Sequence, residues 1–112
     1  MLKLSTYKHI YRALNNTVFR GVLTMPVILF TRANHHAQYI NVGGNLSRSV
    51  IEINPREITG FQHATAIMYH EMIHQLIEEH FELEEDDHHG PLFWKYYKLF
   101  VPSLDIELGE CL

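Results

Sequence analysis

A chain of 112 residues, 46% hydrophobic and 20% charged, has the length and composition of one globular domain with a modest core, not of a disordered segment. Its only cysteine, Cys111, excludes an internal disulfide and any cysteine-based zinc ribbon. The formal charge of −4 is unevenly spread. Residues 1–77 carry seven Lys/Arg against three Glu, net +4, and residues 78–112 carry two Lys against ten acids, net −8.

The N-terminus has no basic-then-apolar signal pattern. The longest strongly apolar stretch, residues 22–30, is interrupted by Thr24 and Pro26 and is too short to span a bilayer. A cytoplasmic protein, or one acting inside a host cell, is expected, with no membrane partner.

In chain order, Ser5 is placed to N-cap a first helix running to about Phe19, with Tyr7, Ile10, Tyr11, Leu14 and Val18 at helical spacing and Lys8 and Arg12 on the other side. Three strand-like runs follow at 27–30, 39–42 and 49–53. Gly43-Gly44 marks a turn between the second and third, and Asn54-Pro55 closes the third. A second helix is predicted from about Gln62 to Phe81. It is apolar on most sides through Ile67, Met68, Met72, Ile73, Leu76 and Ile77, so it belongs in the middle of the fold. The acidic segment 82–87 reads as a loop. Pro91, a favoured first-turn residue, opens a third helix carrying Leu92, Phe93, Tyr96, Leu99 and Phe100 until Val101-Pro102 ends it. No repeat or linker interrupts residues 1–112. The order is α+β: N-terminal helix, three-stranded sheet, central helix, C-terminal helix.

Inside the central helix, residues 70–74 read His70-Glu71-Met72-Ile73-His74, an H-E-x-x-H run. Positions four apart share a helix face, so both imidazoles can reach one metal ion. Glu71, about 100° round from His70, lies where a carboxylate base for a metal-activated water is needed. With nine His and ten Glu in the chain, a shuffled sequence would contain this run on the order of a few per cent of the time, so context has to decide.

A catalytic zinc takes three protein ligands and keeps one position open. His80, six residues after His74, has the metzincin spacing, but Ile77 stands where that pattern needs a glycine to turn the chain. A continuing helix puts His80 about 240° from His74, and no methionine follows to make a Met-turn. Glu84 and Glu85 could serve a carboxylate-ligand site but belong to a solvated acidic run. There remains His88-His89-Gly90-Pro91-Leu92-Phe93: the loop returns, Gly90 permits a tight turn, and His89 stands where the third helix begins, with Leu92 and Phe93 locking that helix into the core.

The two motifs together, H-E-M-I-H and H-G-P-x-F across a variable loop, resemble the SprT-like (Spartan-type) zinc metalloprotease domain, over roughly residues 5–100. The leading helix and the strands ending in Ile53-Asn54-Pro55 fit it as well. The resemblance implies a zincin-like core, zinc ligands His70, His74 and His89, and Glu71 as catalytic base. The cysteine-rich ribbon and basic tail common in that family have no counterpart here, so the resemblance bears on the catalytic core more than on DNA. A related bacterial pattern, N-H-x-x-x-F-W, is similar around Phe93-Trp94 and leaves the subfamily open.

The function expected is hydrolysis of protein substrates by Glu71-assisted attack of a zinc-activated water, with DNA-associated proteins among the substrates that the resemblance suggests. Tyr96, Tyr97 or His88 could help to hold the oxyanion, although aromatics in the third helix have packing as their first role. Glu78, on the stripe of both histidines, reads either as a support for the site or as a solvated acid at a helix end. His9, His35, His36 and His63 have no partner spacing. The alternative function is a zinc-containing accessory or inhibitory module, of the kind a virus encodes, that captures a partner without cleaving it. Weak single-stranded DNA binding would have to run through Lys3, Lys8, Arg12, Arg20, Arg32, Arg48 and Arg56.

Overall fold

Tyr7, Ile10, Tyr11 and Leu14 fall on one face of the first helix, α1 (Leu4–Thr17), and all four are buried. The residue at its N-cap is Lys3, and no side chain caps it, so the expected Ser5 cap is corrected: the chain enters the helix two residues earlier. Arg20 and Gly21 have positive φ, at 56° and 78°, and reverse the chain after α1. Gly21 suits this conformation because it lacks a Cβ. Asn15 clasps the returning segment, donating to the Leu23 carbonyl at 3.0 Å and accepting from the Leu23 N–H at 3.2 Å.

The computed structural model describes residues 1–41, 49–81 and 91–100. It is an α+β fold with three helices and a three-stranded sheet: β1 (Val27–Phe30), β2 (Ala37–Asn41) and β3 (Ser49–Ile53), then a 3-10 turn at Pro55–Glu57, α2 (Phe61–Phe81) and α3 (Pro91–Phe100). The second strand begins two residues earlier than its apolar run suggests. The Gly43-Gly44 turn and the acidic segment 82–87 lie outside the described residues. Asn54 closes β3 as expected, its side chain accepting from the Arg56 N–H to cap the 3-10 turn.

β3 is central, parallel to β1 and antiparallel to β2. Period-two alternation sends Ile28, Tyr39, Ile51 and Ile53 to the buried face. On that side α2 packs against β2, α1 and α3, which is why its sequence is apolar nearly all round. Each fully buried Ile, Phe or Met side chain there contributes about 1.5–3 kcal/mol. No helix of the described residues is long and apolar enough to cross a membrane.

One polar cluster interrupts this core. The Tyr11 hydroxyl donates to Gln75 Oε1 (2.8 Å), and Gln75 Nε2 donates to the Thr24 carbonyl (2.6 Å) and to Glu79 Oε2 (2.9 Å). Glu79 Oε1 accepts from both the N–H and the hydroxyl of Thr24, each at 2.8 Å. These bonds tie the second half of α2 to α1 and to the segment leading into β1.

Candidate active site

His70, Glu71 and His74 project from the middle of α2 on the side facing β2 and α3. They line one cleft of about 190 Å³ together with Ala37, Gln38, Tyr39 and Glu78. The helical repeat that spaces His70 and His74 four apart brings their rings to 5.0 Å between centroids. Phe93, fully buried on α3, stacks on His74 at 4.6 Å and meets His70 at 5.0 Å, so a single aromatic ring orients both imidazoles. Phe93 is itself held by Tyr97 and Trp94, and α3 is fastened to α2 by the Tyr69 hydroxyl donating to the Tyr97 carbonyl.

Glu71 is buried beside the two histidines. Its Oε1 accepts from the backbone N–H of Tyr39 at 2.9 Å, and its Oε2 lies 3.8 Å from His70 Nε2. The strand register explains the first contact. Asn54 donates to the His36 carbonyl, so residues 36, 38 and 40 form the ladder with β3, and the Tyr39 N–H points away from β3 at the edge of the sheet. Burial pushes the Glu71 carboxyl up to about 8, against the opposing pull of the Tyr39 N–H. Tyr39, whose hydroxyl shares a hydrogen bond with Ser49 Oγ, is also raised, by burial first and then by Glu78 and Glu79.

Of the residues expected to act, His70, Glu71 and His74 share this cleft, and Glu78 joins them instead of standing in solvent. His88, His89, Glu84 and Glu85 lie outside the described residues, and His80 is described only as backbone of α2. Among the described residues no group of three or more His, Cys, Asp or Glu side chains forms a metal cage. Tyr96 and Tyr97 are not among the described residues lining the cleft; they pack against the core, as aromatics in that helix should. Elsewhere, His63 Nδ1 accepts from the Thr59 N–H at 3.0 Å and its ring meets that of His36 edge-on. A nitrogen that accepts cannot also carry the proton, so neutral His63 holds that proton on Nε2 and does not offer it as a metal donor.

One part of the site and one polar residue of the core are not anticipated from the sequence. The Tyr39 N–H is backbone, and only the strand register aims it at Glu71. Gln75 does carry a signal: a polar residue at a core position of an apolar helix needs partners.

No protein-family model, curated protein or solved structure matches the chain.

Proposed function

We propose that this chain is a zinc-dependent metallopeptidase with a zincin-like, SprT-like core that cleaves protein substrates, including proteins associated with DNA. The observation that carries the proposal is the cleft itself: two imidazoles one helical turn apart, with a buried carboxylate held beside them by an edge-strand N–H. The donor chemistry fits zinc, which takes neutral imidazole nitrogens and, in hydrolases, a neighbouring carboxylate base. His70 and His74 would hold the ion, with His89 as the third ligand. Bound there, zinc supplies Lewis acidity toward a peptide carbonyl and brings the ionisation of water near neutral pH.

The chain's own groups supply the rest. Glu71 takes a proton from the attacking water and passes it to the leaving amine. The Tyr39 N–H engages one carboxylate oxygen and fixes the plane of the group, leaving the other toward His70. Ala37, Gln38 and Tyr39 of β2 form the wall opposite α2, so an extended substrate would run between a strand edge and the base. Phe93 keeps water and alternative rotamers away from the ligand rings.

The DNA connection implied by the resemblance would use the basic front half, where Arg32 and Arg56 line a second cleft of about 300 Å³ with Phe30, Thr31 and Asn54. Metal analysis and a protease assay test the proposal, with and without single-stranded DNA, on the native protein and on Glu71→Gln. Zinc-dependent cleavage that disappears in Glu71→Gln is the expected result. Partner binding by both forms, with cleavage by neither, would assign the chain to the accessory-module reading.

A further inference from the structure

The cleft holds a second carboxylate that the proposed chemistry does not use. Glu78 lines it at the far end from Glu71, one turn beyond His74 on the same stripe of α2. Seven residues of helix separate the two acids by about 10 Å along the axis. The next residue, Glu79, about 100° round the helix, has both its oxygens bonded by Thr24 and Gln75. Glu79 clamps the fold, and Glu78 lines the cleft.

Glu78 is the described lining acid that lies away from the proposed zinc position. The described lining of the cleft contains two carboxylates and two imidazoles, with Gln38 and Ala37 neutral and no Lys or Arg. A carboxylate at one end of a cleft draws a cationic group to that end and disfavours an anionic one. The cleft volume of about 190 Å³ suits one side chain rather than a folded surface.

From this geometry we infer that Glu78 is a specificity-determining residue, selecting a lysine or arginine side chain of the substrate next to the scissile bond. The inference rests on the peptidase reading and names its substrate class: basic, extended protein segments. The long alkyl stem of lysine or arginine spans the offset between a carbonyl placed at Glu71 and a charge placed at Glu78. Ala37 and the Tyr39 backbone leave room for that stem.

The test compares zinc-loaded full-length protein and its variants on matched peptides that differ only in lysine, its uncharged isostere norleucine, or glutamate at the positions flanking the cleaved bond. Native protein should favour lysine over norleucine by about tenfold in kcat/KM, a factor that corresponds to about 1.4 kcal/mol. Glu78→Gln should bring that ratio close to one, and Glu78→Lys should turn the preference toward glutamate. Glu57→Gln, which removes the same charge on the exposed 3-10 turn, should leave the ratio in place. A native ratio near one, or a ratio unmoved by Glu78→Gln, overturns the inference. So does loss of zinc from Glu78→Gln, which would make Glu78 a ligand. Calorimetric binding of the same peptides to zinc-loaded Glu71→Gln separates this inference from its parent. Discrimination in binding with no hydrolysis by native protein would sink the peptidase reading alone, and hydrolysis without discrimination would sink only the role of Glu78.

Discussion

The peptide N–H of Tyr39 and the carboxylate of Glu71, 32 residues apart in sequence, meet at 2.9 Å where the edge of the sheet faces the central helix. This bond fixes the orientation of the proposed base, yet it does not offset the cost of burying its charge, and the carboxyl rises to about 8. A buried group held this far from its ordinary value couples protonation to folding.

The metal-free protein should therefore lose stability as pH rises. Protonated Glu71 is favoured by the fold, so its contribution is complete below its ordinary value of 4.5 and is lost as pH climbs through the window to about 8. The limiting slope is about 1.4 kcal/mol per pH unit. Melting temperatures of metal-free protein between pH 5 and 8 should fall, and Glu71→Gln should flatten the decline. A native curve as flat as the variant's would mean that Glu71 is well solvated.

Glu71→Gln should keep zinc and a native circular dichroism spectrum while losing peptide hydrolysis by about 10²–10⁴-fold, because an amide cannot accept the proton. The Tyr39 N–H finds the same kind of oxygen in the amide, so the local fold is preserved. Retained hydrolysis would move the base elsewhere.

His70→Ala, His74→Ala and His89→Ala should each lose most of the bound zinc, and His80→Ala should not. X-ray absorption on the native protein should give Zn–N distances of about 2.0–2.1 Å. Zinc lost on removing His80 and kept on removing His89 would replace the proposed ligand set with a metzincin-like one.

Phe93→Ala removes the ring against which both imidazoles rest. Denaturant unfolding should show a loss of about 3–5 kcal/mol, the usual cost of the cavity left by a buried phenylalanine. Zinc affinity should weaken by about tenfold as the rings lose their support. Unchanged affinity alongside the stability loss would show that other contacts suffice to orient them.

Gln75→Ala deletes three hydrogen bonds and leaves the Tyr11 hydroxyl with the Thr24 carbonyl, at 3.1 Å, as its remaining acceptor in the cluster. Destabilisation of about 2–4 kcal/mol is expected, against about 1 kcal/mol for Tyr11→Phe. Urea midpoints of the two variants and of the double variant would show whether the cluster acts as a unit, with the double change costing less than the two single costs together.

Much of the element order is legible in the sequence, because Tyr7, Ile10, Tyr11 and Leu14 obey one period and Ile51 and Ile53 another. The histidine pair is legible for the same reason: its geometry is local to one helix. Relationships that depend on how elements meet are less visible. Glu78 reads as a helix-end acid until α2 is placed against β2, and the partner of Glu71 is a backbone group that any residue except proline would supply at position 39. Ser5 illustrates the opposite error, a favourable cap residue passed over because the helix starts at Leu4, two residues sooner than a Ser5 cap would place it.

The strand order has a consequence for how the chain assembles. β1 is made first, but among the described strands its only neighbour is β3, the last to be made. β2 and β3 are close in sequence and can pair as a local unit, whereas β1 must wait for that unit and then close the longer loop. The edge N–H that meets Glu71 belongs to the early pair, and Glu71 to the helix made after it. Glu71 acquires its partner only when the helix and the β2–β3 pair dock, so the cleft is completed by the same event that completes the core.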